Sequence, residues 1–161
     1  MGQQQLILLV LAVVIVGVAI VVGIRAFSEN SIKSNADAMI QDAVRVANDM
    51  QAWKQKPAPF GGQGSTQAQT VVQDPNDFTD ATFARLGYAP NASGNYLNLN
   101  GRYAISVASA DSTVIRGVST QYNNEIRVDV TGLSDLTIRG NVVCLGGIDS
   151  AGSACTPTTI P

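Results

Sequence analysis

The chain has 161 residues, with ten Lys and Arg against twelve Asp and Glu and a net charge of −2, so one apolar segment plus one modest domain is expected. Its positive charges are scattered and form no basic stripe, so no nucleic-acid partner is expected. It has no histidine, which excludes Ser-His-Asp and Cys-His catalysis, most zinc and copper sites, and c-type haem attachment.

Gln3, Gln4 and Gln5 are neutral and precede an unbroken run of Leu, Ile, Val, Ala and Gly from Leu6 to Ile24. At 1.5 Å per residue this run matches a bilayer core of ~30 Å. A cleaved secretory signal is the rival reading. Its apolar core spans about 7–15 residues, follows basic residues and ends in a small-x-small site. Nothing basic precedes Leu6, and Ile24-Arg25-Ala26 is a poor cleavage site. Arg25 and Lys33 follow the run, so charge alone would place the downstream domain in the cytoplasm, whereas cysteine pairing requires an oxidising compartment. A short basic leader, removed to leave Met1 at the N-terminus, reconciles the two. Cleavage after Gly2 fits less well.

Beyond Arg25 the pattern changes. Ile32, Ala36, Met39, Ile40, Ala43, Val44, Val46, Ala47, Met50 and Trp53 recur at steps of mostly three and four, with Glu29, Lys33, Asp37, Asp42, Arg45 and Asp49 between them. That is a helix with one buried stripe. With no proline before Pro57, one helix from about Leu6 to Trp53 is predicted, roughly 70 Å long. Lys54, Lys56, Pro57, Pro59 and Gly61-Gly62 end it. Residues 57–73 read as a surface loop, and Gly61 to Thr66 lacks the Lys that a phosphate loop requires.

Asp74-Pro75 is expected to cap a short helix running to about Leu86, with Gly87 closing it. Asp74, Asn76, Asp77 and Asp80 offer oxygens to calcium, but their spacing does not match an EF-hand loop, so no metal site is expected. From Asn95 the period becomes two. Tyr96 to Leu99 and Arg102 to Val107 flank Asn100-Gly101, a strong hairpin signal. Thr113 to Thr120, Ile126 to Thr131 and a stretch from Leu136 through Ile138 into Val142-Val143 continue the alternation, with a turn at Asn123-Asn124. Cys144 and Cys155 lie close in sequence with Gly146, Gly147 and Gly152 between them, and two thiols in a short exported domain are expected to pair. Two separately buried thiols are the alternative. Asn91-Ala92-Ser93 fits an N-glycosylation acceptor, and Thr156 to Pro161 reads as an extended tail open to O-glycosylation.

The predicted fold is therefore α+β: a long N-terminal helix laid on an antiparallel sheet of four or five strands, with a disulfide-closed C-terminal loop. Three regions are expected, at 1–24, 25–56 and 57–161. Across its whole length this architecture resembles the type IV pilin superfamily. The resemblance is one of architecture and not of a motif. It implies a structural, non-enzymatic subunit without cofactor, cut by a prepilin peptidase and methylated at its new N-terminus, here Met1. It further implies residence in the inner membrane, then extraction by the pilus assembly machinery into an extracellular helical homopolymer. Leu6, Leu9, Val13, Val14, Gly17, Ile20 and Ile24 would form the filament core, and the β domain the outer surface for adhesion or motility. Gln5 stands where pilins carry a Glu that neutralises a neighbour's N-terminal amine, and no proline occurs near position 22. A pseudopilin of a type II secretion system and a single-span membrane-anchored binding domain are the alternative readings.

Overall fold

A computed structural model of the chain describes residues 2–62, 78, 80–109, 112–133 and 138–160. The chain divides into two units, Met1–Ser34 and Asn35–Pro161.

One helix, α1, runs from Gly2 to Gln55. It extends past both expected ends because nothing in Gln3 to Gln5 or in Lys54-Gln55 breaks a helix, and it stops before Pro57. The Lys56 amide still donates to the carbonyls of Ala52 and Trp53. The Trp53 indole then donates to the Gly61 carbonyl at 3.0 Å and fixes the turn that follows.

In the second unit α1 buries Ala36, Met39, Ala43, Val46, Ala47, Met50 and Trp53, the apolar stripe of the sequence. Five strands follow: β1 (Tyr96–Leu97), β2 (Arg102–Ser109), β3 (Ser112–Val118), β4 (Glu125–Val130) and β5 (Ile138–Cys144). Each pairs antiparallel with its sequence neighbours, in the order β1-β2-β3-β4-β5. The register stacks Tyr103, Gly117, Ile126 and Val142 in one row, and Ile105, Ile115, Val128 and Gly140 in the next. These rows join the α1 stripe, Phe78 and Phe83 in one core. Gly117 is required by close packing: a Cβ there would lie 2.9 Å from both the Tyr103 ring and the Ile126 side chain. The fold is thus the expected α+β arrangement, with five strands.

Two expectations are corrected. Among the described residues, 80–87 form turns and not a continuous helix. Phe78 and Phe83 are both buried, and five residues apart they would point about 140° from each other on an α-helix. Turns let both rings reach the core. Gly87 does close this segment, at φ 86°, with the Tyr88 amide donating to the Phe83 carbonyl. Asp74 to Asp77 lie outside the described residues.

The β1–β2 connection also differs. Leu97 pairs with Arg102, so the turn holds four residues, 98–101, rather than Asn100-Gly101 alone. A two-residue type I′ turn needs positive φ at both positions, and neither Asn100 nor Gly101 has it. The Asn98 carboxamide oxygen accepts from the amides of Asn100 and Gly101 and holds the wider turn. Glycine is needed at 101 for another reason, because a Cβ there would sit 2.7 Å from the Val118 carbonyl oxygen.

Cys144 and Cys155 form the expected disulfide, closing a loop over a sequence separation of 11. Reducing it, or replacing both residues by Ser, is expected to cost about 3 kcal/mol from chain entropy. Thermal unfolding with and without reductant measures the loss.

Candidate assembly surface and the domain that carries it

Leu6, Leu9, Val13, Gly17, Ile20 and Ile24 fall within an arc of about 80° at 100° per residue, and Val14 flanks them. Leu6 is 66% exposed, Val13 64% and Ile24 66%. The rest of the run is equally uncovered, and a Cβ on Gly17 would touch nothing within 4 Å. By length and composition this part of α1 can cross a membrane, and none of it is buried within the chain. A surface of this size, apolar on every side, greatly exceeds what soluble monomers expose and must be covered by lipid or by protein. Met1 lies outside the described residues.

Where the second unit begins, α1 is tied to the sheet by polar side chains. Asn35 donates to the Asn100 carbonyl at 3.0 Å and accepts from the fully buried Asn124 at 3.0 Å. The Asn124 oxygen in turn accepts the Gly146 amide, so one buried carboxamide joins α1 to the disulfide loop. Two turns further along α1, the Asp42 Oδ2 accepts from Asn98 and Asn100, both at 2.7 Å, and from the Tyr103 hydroxyl at 3.0 Å. Asp49 accepts the Tyr88 hydroxyl.

Burial raises the pKa of both tyrosines, and the adjacent carboxylates, Asp49 for Tyr88 and Asp42 for Tyr103, raise it further. The Tyr88 value is pushed up to about 12, while Tyr103 moves up strongly. Below pH 10 these phenols are neutral in both folded and unfolded chains. Above pH 10 the unfolded chain releases its tyrosine protons first, so the folded state binds more protons and stability falls as pH rises. The thermal midpoint is expected to drop between pH 10 and 12, and Tyr88→Phe should flatten part of that drop.

Residues 156–160 of the C-terminal segment have no regular secondary structure and are held in place by side chains of the sheet. The buried Glu125 pairs with Arg116 through one oxygen and accepts the Thr158 amide at 2.8 Å through the other. Arg102 donates to the Ile160 carbonyl, and Ile160 is buried. Asn91 lies exposed in a turn, its oxygen accepting the Ser93 and Asn95 amides. Among the described residues no group of His, Cys, Asp or Glu side chains is arranged to hold a metal ion, and Asp80 is paired with Arg85.

The apolar run was legible in the sequence because it is local. Asp42 reads in the sequence only as a polar helix residue and Asn124 only as a turn residue, and Asn35 and Glu125 carry no signal there, because each works with partners far along the chain. The one hint was the concentration of asparagine at 98, 100, 123 and 124, beside turns. Comparison with models of protein families, with characterised proteins and with solved structures returns no match.

Proposed function

We propose that this chain is the structural subunit of an extracellular, type IV pilus-like helical filament, held in a membrane before assembly and polymerising through the first half of α1. The observation that carries this reading is the change of character along one uninterrupted helix. Its first half is apolar on all sides and uncovered, and its second half buries a single stripe against a sheet.

Lipid solvates the first half in the unassembled subunit. On assembly, equivalent helices from other copies replace the lipid, so the apolar surface never meets water. One patch meeting a different patch on the next copy gives an interface that does not close, and repetition generates a helix. Gly17 and Gly23 present no side chain where neighbouring helices would approach. Gln3, Gln4 and Gln5 supply neutral hydrogen-bonding groups near the terminal amine.

Negative-stain electron microscopy of material sheared from cells making this chain, with mass spectrometry of its N-terminus, tests the reading. Thin filaments of this protein beginning at a methylated Met1 support it. Intact protein confined to the membrane fraction, without filaments, overturns it in favour of a single-span anchor. Short periplasmic polymers overturn it in favour of a pseudopilin.

A further inference from the structure

Arg45 and Asp49 lie four residues apart on one face of α1, Lys56 follows directly after its last residue, roughly 16 Å from Arg45 at 1.5 Å per residue, and the three border a cleft whose other side carries Arg85, Tyr88 and Tyr96. The cleft is open to solvent and has a volume of about 630 Å³, inside the ~300–1,000 Å³ range of small-molecule sites. Its charge is unbalanced: three cations face one carboxylate. That carboxylate, on Asp49, is already committed to the Tyr88 hydroxyl, and Arg85 is bonded to Asp80 through both the side chain and the backbone carbonyl. Arg45 and Lys56 are exposed and make no ion pair among the described residues.

Two aromatic rings of the wall are held in place. The Tyr88 and Tyr96 rings meet edge to face with centroids 4.9 Å apart, and Phe83 braces them at 6.0 and 5.8 Å. A site whose walls are fixed before a ligand arrives loses little entropy on binding. A guanidinium on α1 and an ammonium just past its end are suited to two carboxylates of one ligand, and the planar guanidinium grips a carboxylate through two N–H groups. A compact inorganic anion would use the cations but leave the tyrosines and most of the volume empty.

We propose that this cleft binds an acidic saccharide, with separate carboxylates of an oligouronate meeting Arg45 and Lys56 and the sugar rings lying against Tyr88 and Tyr96. Binding is a property of the second unit, residues 35–161, and does not depend on filament formation. The test is isothermal titration calorimetry of the full-length chain in detergent micelles with trigalacturonate, a neutral trisaccharide and inorganic phosphate. The expected result is saturable binding of trigalacturonate alone, weakened at least tenfold in Arg45→Gln/Lys56→Gln with an unchanged thermal midpoint. Arg127→Gln, which alters an ion-paired arginine on the sheet, should bind normally. Absence of saturable trigalacturonate binding, or full affinity in the double variant, overturns the proposal. Phosphate or the neutral sugar binding as tightly as trigalacturonate overturns it equally.

Discussion

Cells making the Val13→Asp chain are expected to yield no filaments, whereas Val13→Leu should assemble at the level of the unaltered protein. Val13 lies near the middle of the apolar run and is 64% exposed within the single chain, so nothing in the subunit itself would be disturbed. The cost falls on the two environments proposed to cover it. In a bilayer, an aspartate at the centre of a helix costs about 2.5–3.5 kcal/mol on insertion scales, on the order of a hundredfold in the inserted population. In a filament core the charge would be buried again in every copy, without a partner. Immunoblotting of sheared and membrane fractions separates the two effects. Normal filament yield from the aspartate variant would rule out burial of this surface on assembly.

The second large effect concerns Asp42. Asp42→Leu is expected to lower domain stability by about 2–4 kcal/mol, because three donors lose a charged acceptor at once and the Tyr103 hydroxyl sits on a fully buried ring. For a domain of this size the thermal midpoint should fall by roughly 10 °C. Combining the change with Tyr103→Phe removes one orphaned donor and should recover part of the loss, so that the two substitutions are not additive. Additive losses would show that Asp42 acts independently of Tyr103. The apolar half of α1 lies outside the altered contacts, so the proposed membrane residence should be unchanged in both variants.

The features legible in the sequence were those with a local period. The α1 stripe follows from residues three and four apart, and β4 from residues two apart. The disulfide follows from two cysteines that turn-forming glycines bring together. What escaped was long-range or competitive. Asp42 meets its three partners across sequence separations of 56, 58 and 61, and on a helical pattern it looks like any solvent-facing carboxylate. Phe78 and Phe83 overrode the helix preference of residues 80–87, because two buried rings outweigh a preference of a few tenths of a kcal/mol per residue. Asn100-Gly101 gave the right hairpin and the wrong turn, since the Asn98 side chain competes for the same amides. The cleft beside Tyr88 combines α1 with a turn and a strand some forty residues away, a juxtaposition no spacing rule encodes.

The strand order has a consequence for how the domain is made. Every strand pairs with the one synthesised immediately before it, so the sheet can be laid down progressively with only short loops to close. The partners of α1 arrive much later: Ile40 packs beside Gly140, and Asn35 waits for Asn124. The amphipathic half of α1 therefore leaves the ribosome long before the surface that will cover it. In the proposed pathway, anchoring of the first half in lipid confines that waiting segment to the membrane surface, where it meets its own sheet before it can meet another chain's.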